Sequence, residues 1–290
     1  VAAALSAEAM RGIIDAYDER IHVIRPHKGQ LDTARNMREL LKNSTLITRQ
    51  GELRVQDPYS IRCVPQVHGA SKDSLAFVKE KVEIEINSVT DNPIILPDGD
   101  VISGGNFHGE PMALPFDFLG IGLAEIANIS ERRLERLLNN SLSGFPSFLV
   151  KHSGLNSGFM ITQYAAAALV SENKVLAHPA SVDSIPSCEN QEDLVSMGTH
   201  AGRKAGEIAD NVSRVIATEI LAACQALDLR TEGLQLGVGT KAAYDAVRKS
   251  NQFIDYDKDI EMYKELEKIT AIVKDGTLLA AVEAAVNLEV

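Results

Sequence analysis

The sequence predicts a mainly α-helical protein, a bundle of long helices with one small β-hairpin. Alanine and leucine, both strong helix formers, are abundant, whereas aromatic residues make up 5% and tryptophan is absent. Across residues 191–228, apolar residues recur mostly at three- to four-residue steps with no proline between them. The hairpin is predicted by an Asp-Gly pair between two short apolar runs in IILPDGDVIS, residues 94–103.

The other elements follow from the spacing of apolar residues. In order, the sequence predicts helices in 1–43 broken at 25–29, an irregular polar segment at 44–65, a helix through 75–89 and the hairpin. Apolar residues then recur through 112–138. The stretch VEIEINS, residues 82–88, alternates and also fits a strand. The chain of 290 residues is long enough for one large or two ordinary domains. We expect a bundle core over 1–230 and a helical tail over 231–290.

The pattern at 191–228 predicts a helix roughly 50–55 Å long, at ~1.5 Å per residue. Such a helix exceeds the diameter of its own domain, and its small residues Ala201, Gly202 and Ala205 allow close approach of a neighbouring helix. We therefore expect partner helices from other subunits and a homo-oligomer.

Charge and cysteine content narrow the classes of function. With 40 acidic against 29 basic residues the formal charge is −11, so neither nucleic acid nor an anionic membrane surface is an expected partner. No run of 18 apolar residues occurs, so no transmembrane helix is expected. The three cysteines lie far apart and the histidines lack metal-ligand spacing, which predicts a reducing, cytoplasmic setting and no metal. The first residues, VAAALSAEAM, suggest that the chain begins inside a longer protein.

The stretch VQDPYSIRCVPQVHGA, residues 55–70, is a candidate binding segment. Asp57 and Pro58 suit the N-cap and first position of a short helix, which would project Gln56, Tyr59 and Arg62 to one side. The forked guanidinium of arginine suits a carboxylate. Spacing alone favours the simpler alternative, a capped loop whose arginine pairs with a surface acid.

Two further polar stretches have structural explanations of their own. SGGNFHGEP, residues 103–111, displays Phe107 and His108 on a glycine-rich turn that is neither a P-loop nor a dinucleotide fingerprint. SIPSCENQEDLVSMG, residues 184–198, places Glu189, Glu192 and Asp193 ahead of the long helix, where the helix dipole favours acids. The functional alternative is a buried glutamate whose pKa is tuned for acid–base work.

Taken together, these stretches resemble the histidine ammonia-lyase branch of the aromatic amino-acid lyases. SVTDNPII, GLNSGFM and SENKVLAHPASVDSIPS add to the resemblance, which runs from about Leu5 to Arg230 in family order. It implies a helical homotetramer related in fold to fumarase and aspartase, acting in histidine catabolism. It also implies a methylidene-imidazolone electrophile, made from Ala-Ser-Gly, that captures the amine of L-histidine and releases ammonia and urocanate.

The resemblance assigns roles to five residues. Arg62 matches the carboxylate-binding arginine, Tyr59 the catalytic tyrosine, and Gln56 a substrate-contacting amide. Phe107 matches the ring beside the electrophile, and Glu192 the acid that contacts the substrate side chain or shares in proton transfer. In the family, Tyr59 and Arg62 come from a different subunit than Glu192 of the same pocket.

Two positions depart from the family pattern. The triplet Ala-Ser-Gly does not occur, since Ala70-Ser71 precedes Lys72 and Ala180-Ser181 precedes Val182. The chain therefore resembles the C-terminal portion of an ammonia-lyase and is expected to be inactive alone, with no cofactor-binding residue of its own. Leu194 stands where histidine ammonia-lyases usually have histidine. A lyase or aminomutase acting on phenylalanine or tyrosine, and a non-catalytic paralogue, therefore stay open.

Overall fold

The structure, a computed structural model, describes residues 1–230, 233, 235–254 and 257–289. It is mostly helical. The α-helices in these ranges are α1 Ala2–Ala9, α2 Glu19–Val23, α3 Lys28–Leu40, α4 Tyr59–Arg62, α5 Val64–Glu85, α6 Glu110–Leu138, α7 Asn140–Ser143, α8 Met160–Leu176, α9 Gly198–Asp228, α10 Val238–Ser250, α11 Met262–Lys274 and α12 Thr277–Glu283. Strands β1 Ile94–Ile95 and β2 Val101–Ile102 pair antiparallel, with Ile94 opposite Ile102. The mainly helical bundle with a hairpin at 94–103 is thus confirmed.

Two long helices, α6 and α9, lie side by side at the centre and run parallel. Near their first turns Gly198 lies against Ala113, and towards their other ends Arg133 of α6 bonds Glu219 of α9. The 29 residues of α6 span about 43 Å at ~1.5 Å per residue. This pair therefore sets the long axis of the bundle.

The flanking helices run against this pair. On α5, Ser71 Oγ donates to the Gly122 carbonyl at 2.7 Å and the ring of Phe77 meets Phe118 edge-on at 5.8 Å. These contacts make α5 antiparallel to α6, so α5 begins where α6 ends. The short helix α1 packs on the second half of α9, where the buried Ser6 hydroxyl donates to Glu219.

Two predicted helix ends differ in the structure. VEIEINS is helical as far as Glu85 rather than through Val89, and the alternative strand is not formed. The long helix begins at Gly198 rather than at 191, because Met197 adopts a left-handed φ of +54°. Just before it, Glu192 and Ser187 exchange backbone hydrogen bonds of 2.9 and 3.2 Å, which hold this stretch as a loop.

The predicted boundary between core and tail falls at residue 231, outside the described residues. On the tail side, α10 packs against α3 and α12, and α11 packs against α9. The division at 230/231 stays a prediction.

In the described ranges, α6 alone is long and apolar enough to cross a membrane, by length and composition only. It also contributes buried Asp117, Glu131 and Arg133 to the interior of the bundle, which is typical of a core helix.

Candidate functional site

A cavity beside the C-terminal end of α6 brings together three of the five predicted site residues. Gln56, Tyr59 and Arg62 all border it, and its volume is about 340 Å³. We call this cavity the arginine pocket; its lining is Met10, Arg54, Gln56, Asp57, Pro58, Tyr59, Ile61, Arg62, Arg136 and Leu142.

The one-turn helix α4 presents the two central side chains. Tyr59 and Arg62 are three residues apart and so project from the same side of the turn. The guanidinium carbon of Arg62 lies 4.7 Å from the centroid of the Tyr59 ring, a cation–π contact. Between them Ile61 is buried against the core, while 71% of Tyr59 is exposed. The turn is therefore anchored on one side and open on the other.

Asp57 braces the loop that leads into α4 and does not cap the helix, so the predicted N-cap was wrong. Its buried carboxylate accepts 2.6 Å hydrogen bonds from the backbone N–H of Ile13 and from Nε of Arg54. Helix α4 starts one residue later than expected because Pro58 is extended, with ψ at 159°. The loop is thereby fixed to the segment after α1.

A buried ion pair supports α4 from behind. Nε and Nη2 of Arg133 donate to the Glu219 carboxylate at 2.6 and 2.8 Å, and the hydroxyls of Ser6 and Ser130 each donate to it at 2.6 Å. We call these four residues the Glu219 network. The remaining nitrogen, Nη1 of Arg133, donates to the Ser60 carbonyl at 3.3 Å, in the middle of α4. The network thus connects α1, α6 and α9 to the turn that carries Tyr59 and Arg62.

His68 extends this network as a neutral group. Burial, reinforced by the charge of Arg133, holds the pKa of His68 well below its usual range. Its Nε2 therefore accepts from Nη1 of Arg133 at 3.4 Å.

The other two predicted residues, Phe107 and Glu192, lie in loops at the opposite end of the bundle. Phe107 is 57% exposed on the turn before α6, and the carboxylate of Glu192 accepts from the Ser187 hydroxyl in the loop before α9. His108 joins the two loops: its Nδ1 accepts from the Glu110 N–H, so Nε2 donates to the Leu194 carbonyl, both at 3.3 Å. We call Phe107, His108, Glu192 and Leu194 the loop cluster.

The length of α6 separates the two groups. The loop cluster adjoins the first residue of α6, whereas Arg136 in its last turn borders the arginine pocket. The 26 residue-to-residue steps from Glu110 to Arg136 correspond to about 39 Å at ~1.5 Å per residue. One copy of the chain therefore brings Gln56, Tyr59 and Arg62 together and leaves Phe107 and Glu192 far from them.

Sequence reasoning missed the residues that support and extend the pocket: Arg54, Arg133, Arg136 and Glu219. The arginines of ERRLERLL, residues 131–138, fall in the last turns of an apolar helix. Arg133 and Arg136 are three residues apart and so share a side, and this spacing was the available signal.

The chain's own serines do not offer the precursor of the methylidene-imidazolone group. Ser71 lies inside α5 and bonds the Gly122 carbonyl, and the backbone N–H of Ser181 is held by the Asp117 carboxylate at 2.7 Å. Neither precedes a glycine. In the described residues no group of three or more acidic, histidine or cysteine side chains could hold a metal ion; the expectation of no metal stays a prediction.

A larger cavity, about 630 Å³, lies elsewhere, between α9 and α10. Its lining includes Leu227, Val238 and Tyr244, and the guanidinium of Arg230 at its edge donates to the Ala9 carbonyl at 2.7 Å. None of the predicted site residues borders it, so the arginine pocket is the better candidate.

Comparison with known proteins shows what the chain as a whole is similar to. The chain is 71% identical over all its 290 residues to the histidine ammonia-lyase of Clostridium tetani and 66% identical to that of Streptococcus gordonii, and spans 56% of the length of each. Among solved structures, the histidine ammonia-lyase of Trypanosoma cruzi matches 98% of the chain at 44% identity and a TM-score of 0.89, with 53% of that chain covered. A tyrosine aminomutase from Streptomyces globisporus matches 99% at 36% identity and a TM-score of 0.92, with 58% of that chain covered.

The chain thus spans about half the length of the curated relatives it matches. A family model described as aromatic amino acid lyase matches residues 1–249, most of the sequence. The helical bundle, the resemblance in the polar stretches and this match agree, and the chain belongs to the aromatic amino acid lyase family.

Proposed function

We propose that this chain is the C-terminal part of a histidine ammonia-lyase, which eliminates ammonia from L-histidine to give urocanate. The observation that carries the proposal is the placement of Arg62 beside Tyr59 in the arginine pocket. The sequence resemblance assigns carboxylate binding to Arg62 and catalysis to Tyr59. The 71% identity to a histidine ammonia-lyase, against 36% to a tyrosine aminomutase, favours histidine as the substrate.

The chain's own contribution is to bind and orient the amino acid. Two N–H groups of Arg62 match the two oxygens of an α-carboxylate, which fixes both position and direction. The neighbouring Tyr59 hydroxyl and Gln56 amide then lie within the same cavity as the bound acid. Holding the substrate in one orientation lowers the entropic part of the barrier.

Glu192 and Phe107 act in this proposal from another copy of the chain. They lie about 39 Å along α6 from the arginine pocket, so one copy cannot supply both sides of a site for a single amino acid. In a homo-oligomer, which we propose to be a cytoplasmic homotetramer, the exposed Glu192 of one subunit reaches the imidazole side of a substrate held by Arg62 of its neighbour.

The methylidene-imidazolone group supplies the electrophile for the substrate amine in this family. Its Ala-Ser-Gly precursor does not occur in these 290 residues, so we propose that the isolated chain is inactive.

The direct test is the reaction of the full-length protein with L-histidine. We expect urocanate, followed by its ultraviolet absorbance, and much slower reaction with phenylalanine and tyrosine. No product from any of the three amino acids would refute the proposal, and a β-amino acid seen by NMR would replace the lyase with an aminomutase.

Mixing two variants tests the shared site. Arg62→Gln and Glu192→Gln should each be nearly inactive as homo-oligomers. When they are co-expressed, random assembly gives about a quarter of pockets both native side chains, so activity should return to about that fraction. If both side chains acted from the same subunit, the mixture would stay inactive.

A further inference from the structure

The charges around the arginine pocket do not balance. Three guanidinium groups, those of Arg54, Arg62 and Arg136, border the cavity, and Asp57 is the single carboxylate in its lining.

Asp57 is already committed to one of these cations. One carboxylate oxygen accepts from Arg54 and the other from the Ile13 N–H, both at 2.6 Å. Nη2 of Arg54 donates in turn to the carbonyls of Met10 and Arg11 at 3.0 Å. Arg54 and Asp57 therefore form a neutral brace, which leaves two positive charges at the cavity.

Those two charges belong to Arg62 and Arg136. The Nε atom of each is shielded from solvent and has no acceptor in the described residues, and neither guanidinium has an acid within ion-pair distance there. The acids beside Arg136 on α6 are engaged elsewhere, Glu131 with Arg132 and Glu135 with the Asn139 amide at 3.0 Å.

A guanidinium whose Nε is shielded from solvent without an acceptor is costly, and two such cations around a cavity of about 340 Å³ also repel each other. An anion that enters the cavity relieves both costs at once. An organic acid fits better than an inorganic anion such as free phosphate, because Met10 and Leu142 offer apolar surface to the rest of the ligand.

We propose that Arg136 is a second carboxylate-binding residue, which holds the acid end of the ligand together with Arg62. This deepens the proposed function and rests on it for the identity of the substrate. Arg62 approaches from the α4 turn and Arg136 from the last turn of α6, so a bound carboxylate joins the two elements. Arg136 therefore contributes to binding affinity through the carboxylate and makes no contribution through the rest of the ligand.

The experiment compares two ligands in the full-length protein by calorimetry: trans-urocanate, and 4-methylimidazole, which lacks the carboxylate. We expect Arg136→Gln to weaken urocanate binding by about 10- to 100-fold and to leave 4-methylimidazole binding unchanged. Arg136→Lys should restore part of the affinity. The matched control is Arg132→Gln on the same helix, since Arg132 is paired with Glu131 and exposed.

Three outcomes would overturn the inference. Equal urocanate affinity in Arg136→Gln and the wild type removes Arg136 from the site, and equal loss for both ligands makes its role structural. Dissociation of the oligomer in Arg136→Gln would indicate that Arg136 forms an ion pair with an acid of a neighbouring subunit.

A second readout does not depend on the substrate. Phenylglyoxal labelling, quantified by peptide mass spectrometry, should show that sodium acetate protects Arg62 and Arg136 together and leaves Arg132 reactive. If the wild type binds no urocanate, the proposed function fails while this labelling still decides the inference. Protection of Arg62 without Arg136 refutes it.

Discussion

The two ends of α6 hold their functional side chains in different ways. At the arginine pocket, Tyr59 and Arg62 project from a turn that is tied by Arg133 to the Glu219 network, whose members are buried. At the loop cluster, Phe107 and Glu192 lie on exposed loops, which the side chain of His108 connects. The arginine-pocket end is therefore held by buried contacts within one chain, whereas the hydrogen bond between the two loops of the loop cluster is exposed.

The largest expected effect is a difference in protein stability between substitutions at the two ends of α6. Glu219→Gln leaves the buried Arg133 without its counter-charge, and breaking a buried pair in this way costs about 3–5 kcal/mol. Calorimetry of the full-length protein should show a clear drop in Tm. Glu192→Gln, in an exposed loop, is the matched control and should change the free energy of unfolding by less than about 0.5 kcal/mol. Similar Tm values for the two variants would contradict the difference between the ends.

The second prediction concerns binding at the arginine pocket. Arg62→Gln removes the guanidinium group whose two N–H donors match the substrate carboxylate. We therefore expect kcat/KM for L-histidine to fall by about 10²-fold, a loss of transition-state stabilisation close to 3 kcal/mol. The Tm should change little, because Arg62 makes no ion pair with any residue that the structure describes. Steady-state urocanate formation measures the first quantity. A loss of less than threefold would remove Arg62 from carboxylate binding.

The local features of the arginine pocket could be predicted from the sequence, and its long-range supports could not. Tyr59 and Arg62 share a side because of their spacing alone. Asp57 instead bonds Ile13, 44 positions away, and Arg133 bonds Glu219, 86 positions away, which no local pattern encodes. A carboxylate that suits an N-cap locally was used for a tertiary contact.

The boundaries of the long helices show the same limit. Apolar periodicity correctly placed most of α9, because burial on one face is a repeating signal. It placed the start of α9 too early, at residue 191, because the apolar pattern does not reveal a left-handed residue such as Met197. The loop cluster was found only by resemblance, because its residues are positioned by loops without a period.

The third prediction is a pH dependence that belongs to the arginine-pocket end. Folded His68 stays neutral because its pKa is held well below the usual range, whereas in the unfolded chain it takes up a proton near pH ~6.5. The unfolded state then binds more protons, so the free energy of unfolding falls as the pH drops below that value. The slope contributed by this group is at most ~1.4 kcal/mol per pH unit.

His68→Gln removes this contribution and should flatten the stability profile between about pH 5 and 7. Denaturant unfolding at several pH values measures it. The control is His200→Gln, since His200 is exposed at the start of α9 and should leave the slope unchanged. Identical slopes for His68→Gln and the wild type would show that another group titrates.

The smallest effect is expected at the loop cluster, where Leu194 replaces the histidine usual in histidine ammonia-lyases. Its side chain is 65% exposed, and the contact with His108 is made by its backbone carbonyl. Leu194→His keeps that carbonyl, so the free energy of unfolding should change by less than about 0.5 kcal/mol. Because the leucine side chain is mostly exposed, kcat/KM for L-histidine should change by less than about threefold, or ~0.7 kcal/mol. Thermal unfolding and urocanate assays on the same preparation measure both quantities. A tenfold change in kcat/KM with an unchanged Tm would place the side chain of residue 194 inside a site that a neighbouring subunit completes.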